Sequence, residues 1–168
     1  MENEKKIKVV LLEPGKLAST AEIDASLAGM QKTVGGLIEP FYPFEEQVCI
    51  VCNEESKING MRPNRSVKND DGVMVDFIFG PAFICDCRGE NLDSLSDEQI
   101  DRYGKMFRYP EHLARVNDTL LGIPYRPHVV EDSAQVDALS VDASLELGAS
   151  LFGLDGYFAH AGLHTCRS

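Results

Sequence analysis

Apolar and polar residues alternate along this chain in two rhythms, and the change from one to the other marks the expected elements. Ile7 to Leu12 (IKVVLL) is short, β-branched and apolar on both faces, which predicts a buried central strand. Glu13-Pro14-Gly15-Lys16 ends it with turn chemistry. Thr20 is placed to cap a helix beginning at Ala21, with Glu22 in its first turn. Ile23, Leu27, Met30 and Val34 then follow at helical spacing, and Gly35 or Gly36 supplies a left-handed stop.

Leu37 to Phe44 reads as a strand that Pro40 and Pro43 require to be at an edge, bulged or short. Val48 to Cys52 (VCIVC) is a second strand, and 53–57 turns the chain. The segment 58–67 is mixed, with a turn at Asn59-Gly60. Val73 to Phe79 alternates as a strand, Gly80-Pro81 kinks it, and Ala82 to Cys87 continues as the last strand. The order β-α-β-β-β-β predicts an α+β domain over 7–90, a mostly antiparallel sheet with a helix on one face. Its other face needs a cover or a partner.

A helical C-terminal extension is expected over 91–168. Ser96 with Gln99 forms a capping box, and Ile100, Tyr103, Met106 and Phe107 supply an apolar face ending at Pro110. Leu113, Val116 and Leu120 fit a short helix over 111–121. Gly122 to Pro127 is extended. Val136, Leu139, Ala143, Leu147 and Leu151 again have helical spacing.

Composition changes the picture mainly through charge. The 168 residues are 43% hydrophobic and carry a net charge of −11. So acidic a chain is a poor match to nucleic-acid backbone, which calls for clustered Lys and Arg. No apolar run reaches membrane-spanning length, and the N-terminus lacks signal-peptide features, so a cytoplasmic protein is expected. Five cysteines without an export signal read as free thiols.

Cys49-x-x-Cys52 and Cys85-x-Cys87 invite a zinc reading. In a strand, however, positions i and i+3 point to opposite faces, so buried structural thiols are the better expectation. His160-x-x-x-His164 lacks a glutamate base and has Gly162 within it. No metal, cofactor or catalytic residue is therefore assigned. One segment stands out in the acidic background, with Asn53, Glu54, Asn59, Arg62, Asn64 and Arg65 close together. Two arginine forks suit a phosphate or carboxylate, the asparagines suit a base or ribose edge, and Tyr42 or Phe44 could stack on a ring. Equally, the asparagines could hold turns and the arginines pair with Glu54 and Glu55.

The segments VVLLEPGK (9–16), VGGLIEPFYPF (34–44), VCIVCNEESKINGMRPNR (48–65), VDFIFGPAFI (75–84) and LSDEQIDRYGKMFRYPE (95–111) resemble domain of unknown function 3846, over about residues 7–111. Matching positions are Gly35, Gly36, Glu39, Tyr42, Asn53, Glu54, Glu55, Asn59, Pro63, Asn64 and Arg65. Pro81 departs from the family pattern, where a Thr or similar residue is usual. The resemblance implies a small protein of phages or other mobile elements, with no established activity.

Three readings follow. The first is a non-catalytic, homo-oligomeric sponge that counters host defence by holding a nucleotide-derived immune signal in the host cytoplasm. Its ligand-binding set would be Glu39, Tyr42, Asn53, Glu54, Asn59, Arg62, Asn64 and Arg65, with the open sheet face buried between subunits. The second is an acidic protein-binding inhibitor or DNA mimic, salt-sensitive and indifferent to Arg62 and Arg65. The third is a nucleotide hydrolase using Glu39, Glu54 or Glu55.

Overall fold

The structure, a computed structural model, describes residues 4–128. Its elements are β1 (Lys6–Leu12), β2 (Ser19–Asp24), α1 (Leu27–Val34), β3 (Ile38–Phe41), β4 (Val48–Asn53), β5 (Pro63–Lys68), β6 (Met74–Phe79), β7 (Ala82–Asp86), α2 (Asp97–Met106), β8 (Glu111–Val116) and β9 (Thr119–Pro124). A five-stranded sheet has the order β2-β1-β7-β4-β3, and every neighbouring pair is antiparallel. β5–β6 and β8–β9 are two separate two-stranded ribbons.

The apolar β1 run is indeed central and buried. Ile7 and Val9 point to one face with Cys49, Val51, Phe83 and Cys85, where Met30 and Val34 of α1 close the cluster. Val10 and Leu12 point to the other with Val48, Ile50, Ala82 and Ile84. That second face, which needs a cover or a partner, is covered within the chain by Val67 and Ile78 of the β5–β6 ribbon and by Leu95, Tyr103 and Phe107 around α2. Phe44 lies 5.2 Å from the Tyr103 ring and meets Phe107 edge-on at 6.4 Å. Burying each such ring contributes roughly 2–3 kcal/mol.

The α+β expectation with a helical C-terminal region is corrected. Among the described residues the fold is mainly antiparallel β, with nine strands in three sheets and two short helices. Two segments account for the difference. Residues 19–24 form β2, paired with β1 from Leu11↔Ser19 to Lys6↔Asp24. Ala21 and Ile23 pack on the core while Thr20 and Glu22 face solvent, a period of two that outweighs the helical spacing from Ile23. The helix starts later, where the Ser26 hydroxyl accepts from the Gly29 amide at 3.0 Å, and it ends on Gly35 at φ 80°. Leu27, counted in the expected stripe, is 60% exposed.

Residues 111–124 are the hairpin β8–β9 rather than a short helix. Asn117 and Asp118 both take positive φ, 48° and 65°, the geometry of a two-residue type I′ turn. A helix cannot pass through two such residues. α2 itself has the expected capping box: Ser96 and Gln99 exchange side chain-to-backbone hydrogen bonds at 2.9 and 3.2 Å. The spacing over 134–152 and the His160–His164 pair lie outside the described residues.

Gly80 takes φ 72° at the point where the chain leaves the β5–β6 ribbon and enters the main sheet as β7. A side chain there would also run into Met61.

Candidate ligand-binding site

The residues singled out in 39–65 fall into two groups. Asn53, Asn64 and Arg65 are buried, and their polar atoms are engaged inside the fold. Asn53 Nδ2 donates to the Val34 carbonyl at 3.3 Å and its Oδ1 accepts from the Glu55 amide at 2.8 Å. It thereby joins the end of α1 to the turn after β4. Gly36 leaves room for it, because a Cβ there would come within 2.7 Å of Asn53 Nδ2. Asn64 Nδ2 donates to the carbonyls of Leu12 and Gly80 at 2.9 and 2.8 Å.

Arg65 is fully buried, and its five N–H donors match five acceptors. Nε donates to the Phe107 carbonyl at 2.6 Å. Nη1 donates to Glu13 O at 3.2 Å and Asn64 Oδ1 at 2.5 Å, and Nη2 to Lys16 O at 2.6 Å and Arg108 O at 3.4 Å. Burial pulls its pKa down to about 10, while nearby Glu111 favours its charged form, so it remains a cation at neutral pH. Glu111, whose carboxylate takes the Ser66 hydroxyl at 2.5 Å and amide at 3.2 Å, is pushed upward, chiefly by burial. This inner pair fastens β8 to β5. Its donors are committed to the fold.

Glu39, Tyr42, Glu54, Asn59 and Arg62 are exposed but dispersed. Glu39 lies on edge strand β3 opposite Cys52. Tyr42, 64% exposed, follows β3 on the side of Cys49, Cys85 and Cys87; desolvation, then these thiols, raises its pKa. Glu54 and Asn59 lie in the turn after β4, where their amides bond to the carbonyls of Leu37 and Glu55. The arginine–glutamate pairing considered for this segment does not form among the described residues, and Lys57 there pairs with Asp76 at 2.6 Å.

Arg62 instead faces a different set of residues. A Cβ built on Gly15 would stand 3.3 Å from Arg62 Nη2 and 3.6 Å from the Tyr125 hydroxyl, so both side chains close over the β1–β2 turn. Tyr125 stacks on His112 with centroids 3.9 Å apart and planes 15° from parallel. Burial, then the Arg62 charge, lowers the His112 pKa and favours the neutral ring. Tyr109, two residues past Phe107, carries the guanidinium carbons of Arg108 and Arg126 at 5.4 and 5.9 Å from its centroid. None of Arg62, Arg108 and Arg126 has a carboxylate partner among the described residues. Unpaired guanidinium groups beside stacked rings are the donor set for a ligand bearing both negative charge and a flat ring.

Sequence reasoning reached Arg62 but not its neighbours. His112 stood isolated, and Tyr125 and Arg126 fell in a stretch read only as extended. The one signal was Asn117-Asp118 between two runs of similar length, a hairpin mark that folds residue 112 onto 123 and brings 125 beside the turn at Gly15.

Among the described residues no three His, Cys, Asp or Glu side chains converge in a metal-binding arrangement, and no helix is long and apolar enough to cross a membrane. Cys49, Cys52, Cys85 and Cys87 are free thiols. Cys49 and Cys85 belong to the α1 face of the sheet, and Cys52 packs on the opposite face.

No curated protein and no solved structure matches the chain. A family model does, over residues 7–108, a span that contains Gly15, Arg62 and Arg108 and stops short of the hairpin carrying His112 and Tyr125. The chain belongs to the family described as domain of unknown function 3846.

Proposed function

We propose that this protein is a non-catalytic binding protein that captures a small nucleotide-like anion, with Arg62, His112 and Tyr125 as the core of its site. The observation that carries the reading is an arginine, without an acidic partner among the described residues, beside a stacked His–Tyr pair in a chain of net charge −11. In so acidic a protein an unpaired guanidinium is readily neutralised by a nearby carboxylate, so leaving it free favours an external anion. The ring pair adds a flat apolar surface for a base. Binding calls for no general acid, base or nucleophile, and with a mobile-element setting implied by the family resemblance the reading extends to a homo-oligomeric sponge for a nucleotide-derived immune signal.

The test is a thermal-shift screen of the purified chain against cyclic dinucleotides and ADP-ribose-type compounds, with chromatography of the ligand recovered after heating. A stabilised protein that returns its ligand intact supports capture, and Arg62→Ala should remove the shift. A ligand returned cleaved would make the protein a hydrolase. No shift with any compound would overturn the reading and direct attention to protein partners of the acidic surface.

A further inference from the structure

Three thiols meet on the α1 face of the sheet, away from the arginine–aromatic site. Cys49 of β4 and Cys85 of β7 are register partners, with sulfurs 3.6 Å apart and both side chains buried. Cys87 lies two residues beyond Cys85, so it projects to the same face and packs against the same cluster. Unlike the other two, Cys87 is partly exposed.

The ladder geometry sets how far the two strands must close. The Cys87 amide donates to the Gln47 carbonyl at 3.0 Å. Hydrogen-bonded pairs recur every second residue in an antiparallel ladder, so Cys49–Cys85 is also a hydrogen-bonded pair, with Cα atoms about 5.5 Å apart. That separation falls inside the roughly 4.4–6.8 Å range of disulfides. The sulfurs need to close by about 1.6 Å. A structural pair of buried thiols requires no third cysteine on the same face with a path to solvent, and Cys87 is one.

We propose that Cys49, Cys85 and Cys87 form an oxidation site, in which a peroxide enters at Cys87 and the product is a Cys49–Cys85 disulfide joining β4 to β7. With hydrogen peroxide, the Cys87 sulfur gains an S–O bond as the O–O bond breaks, and one water leaves. The Cys49 sulfur then attacks the Cys87 sulfur. The S–O bond breaks, and its hydroxyl leaves as a second water with the Cys49 proton. Cys85 displaces Cys87 from Cys49, its proton passing to Cys87. In total two thiols lose two electrons and two protons, and the peroxide is reduced to two waters. Cys52, on the other face with its thiol on the Glu39 carbonyl, stays outside the reaction.

The experiment uses the full chain carrying Cys166→Ser, fully reduced and then exposed to hydrogen peroxide. Thiols are counted after denaturation, and disulfides are located by non-reducing peptide mapping. The count is expected to fall from four to about two, with Cys49 and Cys85 joined in a bond that dithiothreitol reverses. Cys87→Ser should reach the same bond at least about tenfold more slowly, and Cys87→Ala repeats the comparison with an apolar side chain. Thiols that react only in urea, a map joining Cys49 to a residue other than Cys85, or Cys87 variants that oxidise at the parent rate would each overturn the proposal.

Discussion

Asn64 Oδ1 accepts a hydrogen bond from Arg65 Nη1 at 2.5 Å, although the two residues are consecutive on one strand. Neighbours on a regular strand point to opposite faces. Here the β5–β6 register shifts between Pro63 and Arg65, a bulge that lets both side chains turn inward. Asn64 reaches the end of β1 and Gly80, and Arg65 reaches the β1–β2 turn and the end of α2. One bulge thus ties β5 to three other segments of the chain, 12–16, Gly80 and 107–108.

Arg65→Lys is expected to destabilise the fold by at least about 3 kcal/mol, because an ammonium cannot serve the same spread of buried acceptors and each one left alone costs about 1–3 kcal/mol. Urea unfolding followed by far-UV circular dichroism measures it. A midpoint equal to that of the parent would show that the guanidinium bonds are not what holds α2 to the β1–β2 turn.

Arg62→Ala should do the opposite. The side chain is exposed and has no acidic partner among the described residues, so stability should change by no more than about 0.5 kcal/mol. The His112 pKa should rise, since a neighbouring positive charge disfavouring the imidazolium is removed. An NMR titration of the His112 ring in parent and variant reads this directly. An unchanged titration would place the Arg62 charge too far away to act on the stacked pair.

Glu111 makes stability depend on pH in a direction opposite to that of an ordinary paired carboxylate. Its folded pKa is raised by burial, so its contribution is fully present below the unfolded value of about 4.3 and is lost as pH rises through the folded pKa. Glu111→Gln keeps a neutral group of the same shape. The stability of the parent relative to this variant should therefore fall from acid toward neutral pH, as measured by melting temperature over that range. A difference that grows with pH would mean that the bonds from Ser66 and the Arg65 charge outweigh burial.

Gly122→Ala should loosen the hairpin. A Cβ at this position would run into the Glu111 carboxylate and come within 2.8 Å of the Ser66 hydroxyl. The expected cost is about 1–3 kcal/mol. Amide hydrogen exchange should show it as faster exchange in β8 and β9 and little change in β1 or β4.

Much of the main sheet was legible in the chain. The runs 7–12, 48–52 and 82–87 are apolar enough to be read as strands without knowing their partners, and Ser96 with Gln99 marks the start of α2 plainly. The failures came where two periods fit the same residues. Ile23, Leu27, Met30 and Val34 satisfy helical spacing, yet Ala21 and Ile23 also alternate with Thr20 and Glu22, and pairing with β1 decides between them. Leu113, Val116 and Leu120 mislead in the same way.

The site was less legible for a different reason. An arginine bound to carbonyls and an arginine open to solvent look alike in sequence, and Arg62 and Arg65 are separated only by a bulge. The stacking of His112 on Tyr125 depends on a hairpin register, which one turn dipeptide specifies and no apolar pattern announces.

The place of β7 between β1 and β4 constrains how the chain can assemble. As the chain emerges from its N-terminus, β1 can pair with β2 and β3 with β4, giving two hairpin-like halves, each with an open, apolar edge. The strand that joins them arrives only after the β5–β6 ribbon has been made. Until then both edges are exposed to other chains, and the contacts that unite the sheet span long loops, which slows closure. A ribosome-bound fragment ending before Ala82 would hold both halves of the sheet with no strand to bridge them, and that interval is when the protein is most exposed to aggregation.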